Sequence, residues 1–73
     1  MNQVDTCEYL VSQGWAVTHT YNDGVIRLHL GDSERDDTPY CFVGPDGKMS
    51  RIKTRETAKA EMNARYAGCV LHA

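Results

Sequence analysis

Residues 15–30, WAVTHTYNDGVIRLHL, decide the fold. Trp15 to Tyr21 and Val25 to Leu30 are rich in β-branched and aromatic residues and alternate in polarity. Between them, Asn22-Asp23-Gly24 is a tight-turn sequence whose glycine tolerates positive φ. The reading is a β-hairpin. Period-two alternation puts Trp15, Val17, His19 and Tyr21 on one face, and groups Ile26, Leu28 and Leu30 with Arg27 and His29 opposite them. A sheet built on this hairpin is expected to have one wet side.

Working downstream, GDSERDDT (residues 31–38) lacks apolar groups and holds four acids against Arg35, the composition of a solvated loop. Tyr40-Cys41-Phe42-Val43 and Lys48-Met49-Ser50-Arg51-Ile52 then flank Gly44-Pro45-Asp46-Gly47. Proline presets the first turn residue and Gly47 takes the left-handed one, which predicts a second hairpin. From Thr54, TRETAKAEMNARYAG is rich in helix formers, with Ala58, Met62 and Tyr66 four apart and Gly68 at the expected exit. The tail CVLHA is expected to pack or to add an edge strand.

Upstream, Val4-Asp5-Thr6-Cys7-Glu8 reads as a capping box. Asp5 would be the N-cap, Glu8 would reach back to it, and Val4 and Tyr9 would form a hydrophobic staple. Cys7, Leu10 and Val11 follow at helical spacing and Gly14 ends the run, which predicts a short helix over about 6–13. The order helix, hairpin, acidic loop, hairpin, helix gives one α+β domain over 1–73. Its simplest form is a small antiparallel sheet of two hairpins, with a short N-terminal and a longer C-terminal helix on one face.

Seventy-three residues bury only about 60% of the unfolded surface, so stability should be modest and a deep pocket is not expected. Apolar and charged fractions of 41% and 25% match a folding globular chain. No apolar run approaches the roughly 18 residues of a membrane span, and MNQVDTCEY lacks the basic and apolar regions of a secretory signal. A cytoplasmic location is expected.

Charge is sorted along the chain. Residues 1–46 carry eight acids against Arg27 and Arg35, net −6, whereas residues 47–73 carry Lys48, Arg51, Lys53, Arg55, Lys59 and Arg65 against Glu56 and Glu61, net +4. Such a chain can offer two neighbouring surfaces fields of opposite sign.

No catalytic constellation accompanies it. Asp32, Glu34, Asp36 and Asp37 could supply paired carboxylates or magnesium ligands, yet a solvated loop offers no dry, preorganised site, and their spacing misses the EF-hand. His19 and His29 can be cross-strand neighbours, but nothing places a nucleophile beside them. Gly44 to Lys48 lacks the order and setting of a phosphate loop. Cys7, Cys41 and Cys69 suit buried or idle thiols of a reducing compartment. A zinc site drawing on His19, His29 and His72 would have only Cys69 and His72 as a close pair, so neither metal nor cofactor is expected.

The basic stretch keeps a second reading open. Lys48, Arg51, Lys53, Arg55 and Lys59 could bind polyphosphate, with Tyr40, Phe42 and Tyr66 as stacking faces, in a small nucleic-acid-binding module. A net charge of −2 and pI of about 5.8 count against it. The same side chains could simply lay their stems over sheet and helix.

Taken whole, from MNQVDTCEYLVSQGW through GDSERDDT to PDGKMSRIKTRE, the chain resembles the small RNA-polymerase-binding transcription regulators of lytic Xanthomonas phages, over all 73 residues. The resemblance implies a non-enzymatic, monomeric factor of the bacterial host cytoplasm. It would contact the β′ amino terminus and the β flap of host RNA polymerase, displace σ, and suppress intrinsic termination near the RNA exit channel. No single motif carries over. Contact residues are therefore expected from the charge pattern: Lys48, Arg51, Lys53 and Arg55 on the basic side, and Tyr9, Asp32, Glu34 and Asp37 on the other. Two contacts on one rigid body would let the second form intramolecularly and outcompete a separate ligand.

Overall fold

A computed structural model describes residues 2–32 and 34–71, with side chains described to residue 64. The expected α+β order is found: α1 (Gln3–Ser12), β1 (Trp15–Thr20), β2 (Ile26–Leu30), β3 (Pro39–Val43), β4 (Lys53–Thr54) and α2 (Arg55–Leu71). The strands form one antiparallel sheet in the order β1-β2-β3-β4.

The first hairpin closes as its turn sequence requires. Tyr21 N–H donates to Val25 O (2.9 Å) and Gly24 N–H to Tyr21 O (3.0 Å), with Gly24 at φ 87°. Its faces differ from strict alternation, because the pairing shifts by one residue between Val17 and His19. The extra residue, Thr18, turns the strand over. Trp15 and Val17 pair with Leu30 and Leu28 on one face, and His19 and Tyr21 go to the other.

The helices accordingly lie on opposite faces of the sheet, not on one. Successive β3 residues alternate between two cores. Cys41 and Val43 join Leu10, Trp15 and Leu28 under α1, while Tyr40 and Phe42 join Tyr21, Ala58 and Met62 under α2. The expected wet side is thus half covered. β3 is buried on both faces because it serves both cores.

The second hairpin forms with a broken partner strand. Gly47 N–H donates to Gly44 O and Gly44 N–H to Lys48 O, and Val43 bridges Met49. Ser50 then diverts the chain, since its Oγ accepts from Phe42 N–H (2.9 Å) where a strand carbonyl would. Regular pairing resumes only at Tyr40↔Lys53 and Pro39↔Thr54. The strand predicted over 48–52 is therefore a single bridge at Met49 and an irregular stretch, and β4 begins only after it, at Lys53.

α1 starts earlier than predicted. Asn2, not Asp5, is the N-cap, accepting from Asp5 N–H (2.9 Å), and Asp5 lies in the first turn. No staple forms, because Val4 and Tyr9 are both exposed. Polar side chains on its packed face also hold the helix. Gln3 Nε2 donates to Gly24 O (2.6 Å) and Val43 O (3.1 Å), and Thr6 Oγ1 to Gly47 O (2.8 Å), so α1 ties both hairpin turns together.

α2 begins where expected, with Thr54 Oγ1 accepting from Thr57 N–H (3.2 Å). It continues through Gly68 to Leu71, so Gly68 does not end it and residues 69–71 are helical. The Tyr66 and Cys69 side chains, and His72 with the end of the tail, lie outside the described residues. Among those described, no helix is long and apolar enough to cross a membrane.

Candidate functional site

The acidic loop and the basic segment, read from sequence as two separate patches, meet in space. Thr38 is buried, and its hydroxyl donates to Asp32 O, which anchors the loop. Arg55 N–H donates to Thr38 O (2.8 Å) and Glu56 N–H to Asp36 O (3.1 Å), so loop carbonyls satisfy the open amides of the first turn of α2. The Asp36 carboxylate then lies 3.4 Å from Arg55 Nη1 and 3.9 Å from Lys59 Nζ. Lys53, on β4, pairs with Glu61 at 3.0 Å.

The predicted contact residues divide accordingly. Arg55 and Lys53 are engaged within the molecule. Asp37 pairs with Arg35 at 3.2 Å, Asp32 accepts from Glu34 N–H at 2.9 Å, and the Glu34 side chain is exposed. Tyr9 stands 58% exposed on α1, on the flank opposite the exposed Val4 and Val11. Lys48 and Arg51 are exposed, with no ion pair among the described residues.

Sequence reasoning missed what lies beside those two cations. Met49 is 44% and Ile52 51% exposed on the irregular stretch that leads into β4. With Lys48 and Arg51 they make a strip of mixed cationic and apolar character. The signal lay in the three-residue spacing of Met49 and Ile52, which a regular strand would have sent to opposite faces.

Arg27 was also missed. It faces the α2 core, where Nη1 donates to Tyr21 Oη (2.9 Å) and contacts Met62 Sδ (2.8 Å). The guanidinium carbon sits 5.8 and 5.7 Å from the Tyr21 and Tyr40 ring centres. Its Nε is buried without a hydrogen-bond partner. The expected His19–His29 neighbourhood is not a direct pair, since His19 lies opposite Arg27 and His29 opposite Ala16 and Tyr40. His19 stacks edge-on against Tyr21 at 4.5 Å, and His29 Nδ1 meets Thr18 Oγ1.

Burial pushes the Cys41 thiol up to about 11, with a smaller contribution from Cys7, and raises Cys7 as well. Both thiols are therefore protonated at neutral pH, the opposite of an activated nucleophile. Among the described residues no group of three or more His, Cys, Asp or Glu is placed to hold a metal ion. A shallow, open depression of about 260 Å³ lies between Leu30 and the acidic loop, lined in part by Asp32, Arg35 and Asp37. It gives those carboxylates no dry enclosure.

Tyr40 and Phe42, the candidate stacking faces, are each 3% exposed beneath α2 and cannot receive a base. Comparison of the chain with protein-family models, curated proteins and solved structures gives no match.

Proposed function

We propose that the protein is a non-enzymatic regulator that binds host bacterial RNA polymerase at the β′ amino terminus and β flap, displaces σ, and suppresses intrinsic termination. The whole-chain resemblance supports the partner. The structural observation that carries the binding mode is the 48–52 strip, two exposed cations interleaved with exposed Met49 and Ile52. Cations at a protein interface steer docking and set register, while apolar side chains supply contact that salt does not screen. Tyr9 on α1 offers a second contact, and two contacts on one small body raise effective concentration enough to displace a competitor. A nucleic-acid-binding module is less well supported, because Tyr40 and Phe42 are buried and Lys53, Arg55 and Lys59 are paired internally.

Size-exclusion chromatography with core polymerase and holoenzyme tests the reading. The protein is expected to co-elute with core and to release σ from holoenzyme. Lys48→Ser/Arg51→Ser should bind roughly tenfold more weakly while unfolding at an unchanged temperature. Failure to co-elute with core, or co-elution with holoenzyme whose σ stays bound, would overturn it.

A further inference from the structure

We propose that the acidic loop is an autoinhibitory contact: Asp36 occupies the Arg55 and Lys59 cations and keeps the start of α2 from binding the phosphate chain of a single-stranded nucleic acid. The inference does not rest on the polymerase reading. Its basis is position: one carboxylate oxygen lies between two cations, 3.4 Å from Arg55 and 3.9 Å from Lys59, in the place a phosphate oxygen would take with closer contacts.

The contact is built into the loop rather than left to side-chain chance. Main-chain bonds from Arg55 and Glu56 to Thr38 and Asp36 hold the loop against the helix, and Thr38 anchors it to Asp32. Asp37 is taken up by Arg35, leaving Asp36 to face the helix cations. The carboxylate itself is 68% exposed. Exposed pairs of this kind hold weakly, so a polyanion presenting several phosphates can displace Asp36 where an isolated small anion cannot. The remaining acids Asp32, Glu34 and Asp37 still repel phosphate, which bounds the gain on removing Asp36.

The test measures fluorescence anisotropy of a labelled oligothymidylate from about 50 to 200 mM salt, comparing wild type with Asp36→Asn and Glu8→Gln. Both variants remove one negative charge, but Glu8 is an exposed residue of α1. Asp36→Asn should bind about three- to tenfold more tightly at low salt. Its salt dependence should steepen by about 1.4 in log–log slope, the value for two freed cations on a single strand. Glu8→Gln should gain less than about twofold with its slope unchanged. Adding Arg55→Gln and Lys59→Gln to Asp36→Asn should abolish the gain. Equal gains in the two single variants, or none in Asp36→Asn, would overturn the proposal. A measurement on wild type guards against a folding defect. Saturating oligonucleotide should speed hydrogen exchange at the Arg55 and Glu56 amides beyond the effect of sodium chloride at equal ionic strength, and unchanged exchange would also overturn it.

Discussion

The two faces of the sheet are built from different chemistry. Under α1, Leu10, Trp15, Leu28, Cys41 and Val43 form a core whose polar handles are few. Under α2, two tyrosines, Phe42, Ala58 and Met62 form a core in which Tyr21, Tyr40 and Met62 contact the guanidinium of Arg27, with His19 and His29 on the same face. The first core is apolar, with burial worth about 1.5–3 kcal/mol for each large side chain, and the hydrogen bonds of Gln3 and Thr6 fasten α1 at its margin. The second mixes burial with hydrogen bonds and cation–π contact, so the cost of a substitution there depends on the partner it leaves behind. β3 is the element on which the two kinds of stabilisation meet.

Four substitutions at three positions probe that difference. Leu28→Ala should be the most damaging, because Leu28 is fully buried beneath α1 and the cavity cannot collapse against a sheet. The expected loss is about 3–5 kcal/mol by urea denaturation, against roughly 4–10 kcal/mol for a domain of this length. A loss below about 1 kcal/mol would mean that the α1 core is loosely packed.

Titration of Cys41 comes next. Its thiol is pushed up to about 11 in the folded protein from an ordinary 9.0. The neutral form is thus favoured by folding: the stabilisation is complete below pH 9 and is lost as pH rises through 11. Wild type should lose on the order of 2 kcal/mol more than Cys41→Ala across that interval. Parallel stability–pH curves for the two proteins would show that the thiol is not desolvated.

The smallest effect is expected on the other face. Arg27→Met should change stability by less than about 1 kcal/mol, since it keeps the apolar stem and removes a charge whose Nε lacks a partner. Arg27→Ala should cost about 2 kcal/mol through lost packing on Tyr21 and Tyr40. Equal losses from both would make the cation, rather than its stem, the stabilising part.

Much of the local structure was legible in the chain. The Asn22-Asp23-Gly24 and Gly44-Pro45-Asp46-Gly47 turns, the helix start at Thr54 and the left-handed Gly14 all appear as read, because each depends on dihedral preferences a few residues wide. Misreadings occur where a distant partner competes. Asn2 takes the cap that Asp5 was expected to provide, as Gln3 and Thr6 fasten the helix to turns far along the chain. Ser50 breaks a predicted strand by offering its hydroxyl to Phe42. Of the candidate site, Lys48 and Arg51 could be read from charge alone, whereas the exposure of Met49 and Ile52 follows from that break.

By itself, then, the sequence determined the element order, the two hairpins and the charge on each half, since alternation, turn chemistry and composition are local. Tertiary structure alone decided two things. One was which β1 side chains join which core, because the single extra residue at Thr18 moves His19 and Tyr21 to the face opposite Trp15 and Val17 without changing the strand's composition. The other was that Asp36 pairs with Arg55 and Lys59 across a gap of 19 and 23 positions, because Coulomb attraction depends on distance in space and not on distance along the chain.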